Sequence, residues 1–595
     1  MAKDRLLDDE VLEKPFNRET FVRITGYLRP YLKSIALILS LIGITSAIGL
    51  LNPYLMKLSI DNYISKGNLK GLMVLVLIFL GLNGISLLCS RYRISLMSKV
   101  AKNILYQIRQ DLFSHLQDLS IDFFESRPVG KILSRVIGDV NSLNDVIINT
   151  ITSIVPDSIT LLAIIIILVK LHPQLAMVGL IILPFLAISL FCIQVISRKR
   201  WQQVRKKFST ANAYIHETFA GAKVVKAFVQ EKATGGTFLD LLKDIRRVWL
   251  SAIRVNAALW PVVDASWGIS MALVYWYGIR LLNTGGITIG LLVAFTGYIG
   301  MLWQPILNLS NFYNSLISAM AGAERIFEIM DIKPAIVEKP DAVDIGEIKG
   351  EVEFKNVTFC YDNERPVLNG VNFKVRPGET IALVGPTGAG KTTIINLIAR
   401  FYDVTDGAVL IDGRDIRDIK LKSLRSKMGI MLQDTFLFNG TIADNIRYGK
   451  PDATMDEIIK AAKTVGAHDF IIQTEKGYDT EILEMGNRLS TGQRQLIALA
   501  RTIIADPHIL ILDEATSSID THTEVILQKA LEKVMENRTS FVIAHRLSTI
   551  RNADRIFVVD GGRIIEMGSH SELINRKGLY YDLYRSQYEA MEKIS

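Results

Sequence analysis

Cysteine is scarce in this chain. Only three of its 595 residues are cysteines, Cys89, Cys192 and Cys360, and long stretches separate them. Thiols this few and this scattered argue against a disulfide framework or a zinc site, and we expect them to be small apolar side chains, buried or facing lipid. A cleaved signal peptide is not expected either, because Met1–Phe16 is charged and has no apolar core.

Charge of one sign is only in modest excess, whereas apolar residues are abundant. The formal net charge is +8 and hydrophobic residues make up 49% of the chain, with long apolar runs filling residues 30–320. Membrane proteins carry their basic excess in cytoplasmic loops, so we do not interpret the charge as nucleic-acid binding. A chain of this length is expected to form two domains, here one in the membrane and one outside it.

Six segments are candidates to cross a bilayer, which takes about 20 apolar residues per helix. They are residues 35–55, 72–88, 161–169, 175–196, 257–282 and 287–307. The third is long enough only if it begins near Ile151 and includes Asp157. Before the first span, residues 15–31 mix apolar and charged side chains and fit either an interfacial amphipathic helix or an exposed connector.

The connections between these spans are unequal in length. Those after the first, third and fifth spans are short, whereas residues 91–149 and 198–256 form long, helical connections, the second of them dense in Lys and Arg. The positive-inside bias places the long connections and both termini in the cytoplasm. We predict a membrane all-α six-helix bundle with long cytoplasmic helical extensions.

The pattern changes after the last span. Residues 331–349 contain prolines and acids with little periodicity, which is typical of a linker, and from Gly350 onward short β-type runs alternate with helical segments. This alternation predicts an α/β domain with a mainly parallel sheet. The expected domains are therefore residues 1–330 in the membrane, the linker 331–349, and the α/β domain 350–595.

A phosphate-binding loop follows the strand that ends at Val384. The run Gly385-Pro-Thr-Gly-Ala-Gly390-Lys391-Thr392 matches G-x-x-x-x-G-K-S/T in full, with a helical run after it. Glycines let backbone N–H groups converge on phosphate oxygens at the helix N-terminus. Lys391 supplies charge to the β- and γ-phosphates, and Thr392 offers its hydroxyl to Mg²⁺. We expect ATP to contact the residues Gly385, Thr387, Gly388, Gly390, Lys391, Thr392 and Thr393.

Two adjacent carboxylates end a second apolar strand, Ile509–Leu512. Asp513 at the strand end is suited to hold Mg²⁺, directly or through water, and Glu514 is suited to polarise the attacking water as general base. Such a pair alone also fits a solvated loop. The phosphate loop upstream makes the catalytic interpretation the stronger one.

The run Leu489-Ser490-Thr491-Gly492-Gln493, about a hundred residues after the phosphate loop, resembles the signature motif of ATP-binding-cassette (ABC) proteins. In that family, ATP lies between the phosphate loop of one cassette and the signature of another. The resemblance therefore implies that Ser490, Thr491, Gly492 and Gln493 contact ATP held by a partner subunit. The α/β domain is expected to be an ABC cassette, an α/β P-loop ATPase.

Five further positions resemble the remaining cassette motifs. Tyr361 fits the aromatic that stacks on adenine. Gln433 fits the Q-loop, which touches Mg²⁺ and the lytic water, and Glu514 fits the catalytic glutamate. Asp520 ends a run that resembles the D-loop, and His545 fits the switch histidine that contacts the γ-phosphate. The resemblance thus implies catalytic roles for Glu514, His545 and Gln433, and a Mg²⁺ site at Thr392, Gln433 and Asp513.

The membrane half resembles the exporters of this family that have six helices per half. Phe123-Phe124-Glu125 with Leu133-Ser134-Arg135 is similar to their first cytoplasmic coupling region, and residues 217–228 are similar to the second. Glu324-Arg325-Ile326-Phe327 is similar to the segment leading into the cassette. The resemblance implies an integral protein of the bacterial cell membrane that hydrolyses ATP, with Mg²⁺, to drive transport.

The partner expected from the resemblance is a second half-transporter. The usual signature has glycine where Thr491 stands, and Leu483 also replaces a common glycine. A branched Cβ restricts the backbone where phosphate approaches. A heterodimer follows as one hypothesis, in which this chain's Glu514 serves the hydrolysing site and its altered signature the weaker one, as in bacterial heterodimeric multidrug exporters. A homodimer that tolerates Thr491 is the alternative.

The cargo is less well defined by the sequence. Intramembrane acids are costly and often functional, so Asp157 and Asp264, with Trp267 and Trp303, are candidates to line a substrate cavity for amphipathic compounds. Helix packing or an interfacial position explains such residues as well. Export of drugs or lipids is the leading hypothesis, and a homodimeric lipid flippase, uptake, or an ATP-gated channel or regulatory protein are the alternatives.

Overall fold

The structure is a computed structural model that describes residues 18–149, 153–361, 365–431, 435–483, 486, 489–513, 521–543 and 547–587. The chain divides into two compact units. The first comprises Met1–Gln117 and Arg127–Ile332, and the second comprises Asp118–Ser126 and Lys333–Ser595. A short piece of the N-terminal half, around Phe123, therefore groups with the C-terminal half.

The N-terminal half of the chain is helical throughout its described part. Its helices are α1 (Arg18–Leu28), α2 (Leu32–Leu58), α3 (Leu69–Asp118), α4 (Ile121–Glu125), α5 (Val129–Leu133), α6 (Val140–Asn149), α7 (Val155–Leu171), α8 (Pro173–Leu180), α9 (Leu183–Ala220), α10 (Ala222–Ala227), α11 (Glu231–Ala257), α12 (Leu259–Asn283), α13 (Ile289–Gly300) and α14 (Trp303–Met330). Of these, α4 lies in the second unit.

Helix α3 shows how the membrane helices continue beyond the apolar layer. It has 50 residues, about 75 Å at 1.5 Å per residue, whereas the hydrocarbon core of a bilayer is about 30 Å thick. Its buried residues all lie between Met97 and Leu116, while apolar side chains of its first half, such as Leu77 and Leu87, are exposed. The first half is therefore suited to face lipid, and the second half packs against protein.

Five helical stretches within the described residues are long and apolar enough to cross a bilayer. They are Arg18–Ile64, Leu69–Asp118, Pro173–Ala220, Glu231–Asn283 and Ile289–Leu309. The remaining segment predicted from the sequence coincides with α7, which has 17 residues, about 26 Å. Asp157 lies in the first turn of this helix, and Ile151 lies outside the described residues.

The connection predicted around residues 170–174 is a single residue. Helix α7 ends at Leu171 and α8 begins at Pro173, with His172 between them in an extended conformation. The Nδ1 atom of His172 accepts a hydrogen bond from the N–H of Leu175 at 3.2 Å. The histidine thereby satisfies a donor that a helix N-terminus otherwise leaves without a partner.

Strands and helices alternate in the second unit. Its strands are β1 (Val352–Phe359), β2 (Leu368–Val375), β3 (Thr380–Val384), β4 (Asp406–Ile411), β5 (Arg414–Asp415), β6 (Met428–Met431), β7 (Gly440–Thr441), β8 (Glu481–Ile482), β9 (Ile509–Asp513), β10 (Thr539–Ile543), β11 (Arg555–Asp560) and β12 (Arg563–Gly568). Its helices after α4 are α15 (Lys391–Ile398), α16 (Leu421–Arg425), α17 (Ile442–Arg447), α18 (Met455–Thr464), α19 (His468–Ile472), α20 (Thr491–Ile503), α21 (Thr521–Met535), α22 (Leu547–Asn552), α23 (His570–Arg576) and α24 (Leu579–Gln587).

A six-stranded sheet organises this unit. Its order is β12-β11-β3-β10-β9-β6, and every neighbouring pair is parallel except β11 with β12. This confirms the predicted α/β domain with a mainly parallel sheet. A second sheet, in the order β2-β1-β4-β5, is antiparallel, and the sequence pattern did not predict it.

Strand β9 is buried on both faces. Ile509 and Ile511 belong to one apolar core, which also contains side chains of the antiparallel sheet. Leu510 and Leu512 belong to a second core with α17, α18 and α20. Burial on both faces is why this strand is a continuous apolar run rather than an alternating one. The strand holds Asp513 at its C-terminal end, where parallel strands of such sheets present their ligand-binding residues.

Candidate functional site

The phosphate loop joins the end of β3 to the start of α15. Gly385 has φ +154°, and a Cβ built there would lie 2.0 Å from the carbonyl oxygen of Val559, so no larger residue fits without a shift. Gly390, which precedes α15, has φ +108° and would place a Cβ 2.8 Å from Leu368. These two glycines hold the backbone close to the sheet and present the first N–H groups of α15, where a helix favours phosphate.

Lys391, the first residue of α15, is folded back over the loop. Its Nζ atom donates to the carbonyl oxygens of Gly385 at 2.7 Å and Pro386 at 2.9 Å. Burial lowers the pKa of the Lys391 ammonium, and the nearby charge of Asp513 opposes that shift. The lysine is therefore a partly desolvated cation whose electrostatic partner is the carboxylate at the end of β9.

The hydroxyl-bearing residues of the loop differ in exposure. Thr387 and Thr392 are exposed, as is Gly388, whereas Thr393 is 4% exposed. A hydroxyl and a carboxylate are oxygen ligands of the kind that Mg²⁺ prefers. Thr392 and Asp513 therefore offer suitable chemistry for the ion.

Strand register places Asp513 near the loop. Asp513 pairs with Ile543 of β10, which pairs with Leu383 of β3, two residues before Gly385. Neighbouring strands are about 4.8 Å apart, so the end of β9 and the loop are about 10 Å apart along the sheet edge. The phosphate loop and Asp513, which the sequence analysis identified separately, therefore lie at the same edge of one sheet.

Tyr361 contacts the helix that follows the phosphate loop. Its hydroxyl lies 3.2 Å from Oγ1 of Thr393, and 42% of the residue is exposed. The rings of Phe359 and Tyr402 meet its ring edge-on, at centroid distances of 4.8 Å and 5.1 Å. An exposed ring held in this way is a platform on which a nucleotide base can stack.

Tyr402 links this aromatic group to α4. Its hydroxyl donates to Oε2 of Glu125 at 2.8 Å, and burial together with this hydrogen bond raises the pKa of Tyr402 above its usual range. In the sequence, Glu125 belongs to a run that resembles the first coupling region, but no sequence pattern indicated that Tyr402 would be its partner. A continuous set of contacts therefore runs from Thr393 through Tyr361 and Tyr402 to Glu125.

The signature residues begin helix α20. Ser490 is its N-cap, with its hydroxyl accepting from the N–H of Gln493 at 3.2 Å and its own N–H donating to Oε1 of Gln493 at 3.0 Å. Thr491 is the first helical residue, and its Oγ1 accepts from Arg494 at 3.2 Å. Gly492 is buried. The backbone N–H groups at this helix start form a second place where an anion is favoured.

Four residues assigned to catalysis or the D-loop cannot be placed. Gln433, Glu514, Asp520 and His545 lie outside the described residues. Their roles stay predictions from the sequence.

The four membrane residues singled out for the cargo have different surroundings. Asp157 accepts a hydrogen bond from Asn308 at 2.7 Å. Trp303 is 7% exposed and packs in an apolar cluster with Leu186 and Leu307. Asp264 and Trp267 are exposed on α12.

Comparison with known proteins agrees with this geometry. Residues 35–306 match the family described as the ABC transporter transmembrane region, and residues 368–517 match the ABC transporter family. The "Uncharacterized ABC transporter ATP-binding protein YknV" of Bacillus subtilis (strain 168) is 43% identical, over 98% of this chain and 96% of the relative. An "ATP-dependent lipid A-core flippase" of Syntrophus aciditrophicus (strain SB) is 37% identical, over 99% of this chain and 98% of the relative.

A solved structure has the same fold along nearly the whole chain. The "Structure of a bacterial Atm1-family ABC exporter with ATP bound" superposes with a TM-score of 0.78 at 29% identity, covering 94% of this chain and 98% of the other. The predicted fold class, the ATP-binding cassette and the coupling of an ATPase to transport are confirmed by these likenesses. The chain belongs to the ABC transporter family, as an exporter-type half-transporter that fuses the transmembrane region to the ATP-binding domain.

Proposed function

We propose that this chain exports hydrophobic or amphipathic compounds, drugs or lipids, from the bacterial cytoplasmic side of the membrane by alternating access. The observation that supports this best is the phosphate loop, where Lys391 lies 2.7 Å from the Gly385 carbonyl and Asp513 ends a strand of the same sheet. That arrangement is suited to ATP. The proposed topology has six spans, with both termini in the cytoplasm.

In this proposal ATP closes two cassettes, because nucleotide binds the closed dimer better than the open one. Tyr361 stacks on adenine, Lys391 and the loop N–H groups hold the phosphates, and Ser490 and Thr491 reach ATP on the partner. Glu514 acts as the base, and Thr392, Asp513 and Gln433 would hold Mg²⁺, which would neutralise phosphate charge. His545 contacts the γ-phosphate, and hydrolysis parts the cassettes again.

Half-transporters of this family dimerise, and we favour a partner that is not a second copy. Thr491 carries its side chain at the helix start where the family has glycine, and its hydroxyl is occupied by Arg494 at 3.2 Å. A partner nucleotide approaching that N-terminus meets a branched side chain instead of bare backbone. The weaker ATP site would be the one served by this signature, and the hydrolysing site the one served by this chain's Glu514.

The test has two parts. The transporter is purified from its native membrane through a tag on this chain, and a second cassette subunit is expected to accompany it. The chain is also expressed alone, and its ATPase rate is compared with that of its own Glu514→Gln variant. A homodimer whose turnover is robust and depends on Glu514 would overturn the asymmetric assignment.

A homodimeric lipid flippase is the second candidate. It is favoured by the 37% identical relative, over 98% of its length, that is named a lipid A-core flippase. The two candidates differ in cargo. ATP-dependent movement of a fluorescent lipid between leaflets by the chain alone would favour the flippase.

A further inference from the structure

A cavity lies in the first unit where three helix ends meet. It has a volume of about 340 Å³ and is lined by the end of α11, the start of α12 and the start of α14. Pockets that bind small molecules begin at about 300 Å³. In the proposed topology these ends belong to the cytoplasmic side of the fifth and sixth spans, which is the side from which an exporter takes its cargo.

The cavity lining combines amides with apolar surface. Asn256, Gln304 and Asn308 provide the polar groups, and Trp260 and Leu307 are among the apolar ones. Among the lining residues in the described part of the chain, none is Lys, Arg, Asp or Glu. Phosphate and carboxylate ligands are usually recognised by Arg or Lys, so this lining does not suit an anionic headgroup.

A series of hydrogen-bonded side chains orients the two amides of the cavity lining that lie on α14. Asn308 donates through Nδ2 to Oδ2 of Asp157 at 2.7 Å, and Gln304 donates through Nε2 to Oδ1 of Asn308 at 3.0 Å. A carboxylate only accepts, so Asp157 fixes the orientation of Asn308, which in turn fixes that of Gln304. One N–H of each amide is directed along this chain toward Asp157, and the Gln304 carbonyl oxygen, which has no hydrogen-bond partner among the described residues, can accept from a ligand.

The apolar side of the cavity is suited to the same kind of ligand. Trp260 is 59% exposed, and the face of an indole ring attracts cations within about 6 Å. Asp264 lies one helical turn further along α12 and is also exposed. The Asp157 carboxylate behind two amides whose dipoles are aligned with it, the Gln304 carbonyl oxygen and the indole face all favour a positively charged ligand with an apolar body.

We propose that this cavity, which we call the amide cavity, selects amphipathic organic cations as the cargo. The inference rests on the proposed export function and adds the charge class of the substrate. Gln304 and Asp157 set that specificity, Gln304 by contact and Asp157 as a positioning residue through Asn308. Zwitterionic and anionic compounds of equal size are then poorer substrates.

The experiment uses a pair of probes that match in size and shape and differ in charge. Tetraphenylphosphonium is the cation and tetraphenylborate the anion. Binding to the purified transporter is measured by equilibrium dialysis, and ATP-dependent uptake is measured in inside-out membrane vesicles. A fluorescent phosphatidylcholine serves as a third probe in the vesicles, and vesicles carrying Lys391→Met give the background without ATP-driven flux.

The variants separate charge from packing. Asp157→Asn keeps a hydrogen-bonding group beside Asn308 but removes the charge, and we expect tetraphenylphosphonium affinity to fall about tenfold. Gln304→Leu removes one acceptor and should lower the affinity about fivefold. The matched control is Asn83→Leu, which disrupts another amide pair of this unit, with Asn52 at 3.5 Å, and should leave the affinity unchanged.

The outcomes distinguish the cavity from the transport function. Equal or better binding of tetraphenylborate, or a tetraphenylphosphonium affinity that Asp157→Asn leaves at the level of Asn83→Leu, overturns the cation assignment even if another probe is exported. Cation binding that depends on Asp157, without ATP-dependent uptake of any probe above the Lys391→Met background, supports the site and overturns the proposed export.

Discussion

The hydrogen bond between Tyr402 and Glu125 gives the most direct test of how α4 is held in the second unit. The Tyr402 hydroxyl donates to the carboxylate at 2.8 Å, and Tyr402 packs against Tyr361 at 5.1 Å. Hydrogen bonds to charged groups contribute about 1.5–3 kcal/mol. Glu125 is exposed, and solvent weakens such a bond, so we expect about 1 kcal/mol here.

Tyr402→Phe removes the hydroxyl and keeps the ring. A loss of about 1 kcal/mol is about a fivefold shift in the equilibrium between docked and released α4. The assay is amide hydrogen exchange of residues 122–126 in the purified transporter. The exchange rate of a protected amide reports how often its segment opens locally. These amides should exchange about fivefold faster in the variant.

A double-mutant cycle makes this prediction specific. Glu125→Ala removes the acceptor and should raise the exchange rate to a similar extent, and the double variant should add little, because both changes remove one interaction. Tyr361→Phe is the control, since it removes the contact with Thr393 at 3.2 Å and leaves Glu125 alone. Unchanged exchange in Tyr402→Phe, or effects that simply add in the double variant, would refute the reasoning.

Three further predictions concern the ATP site. Gly385→Ala places a Cβ 2.0 Å from the Val559 carbonyl oxygen, so calorimetry should show a cassette destabilised by about 2–4 kcal/mol, and a melting temperature equal to that of the parent would contradict this. Glu514→Gln should retain ATP binding but slow hydrolysis at least ~100-fold, and undiminished phosphate release would reject the base assignment. Thr491→Gly should cost helix α20 only about 0.3–0.5 kcal/mol yet raise ATP turnover of the dimer, whereas a turnover that stays the same or falls would argue against a site weakened by this threonine.

Local motifs explain why part of the ATP site is predictable from the sequence. The phosphate loop carries its own geometry, because Gly385 and the strand before it are contiguous in sequence and in space. Ser490 and Gln493 are likewise three residues apart, the spacing of a capping box. The parallel sheet follows from apolar runs such as Ile509–Leu512, which are too uniformly apolar for a strand with one face in water.

Contacts distant in sequence explain what the pattern missed. Glu125 and Tyr402 are separated by 277 residues, and Asp157 and Asn308 by 151, so no local spacing reveals either pair. A signal for the amide cavity was present, because Gln304 lies inside the sixth predicted span and Asn308 directly follows it, at i and i+4, and intramembrane polar residues are often functional. By contrast, no sequence pattern indicated that Trp303 packs in an apolar cluster with Leu186 and Leu307.

The grouping of Asp118–Ser126 with the second unit has a consequence for dissecting the protein. A soluble ATPase fragment beginning at Lys333 would lack Glu125, which accepts the hydrogen bond of Tyr402, together with Phe123, which is 3% exposed in this structure. Such a fragment should be less stable than the same residues in the full chain, for reasons unrelated to nucleotide. A peptide spanning 118–126, supplied in trans or joined ahead of Lys333 through a flexible linker, would restore the part of the second unit that this fragment lacks.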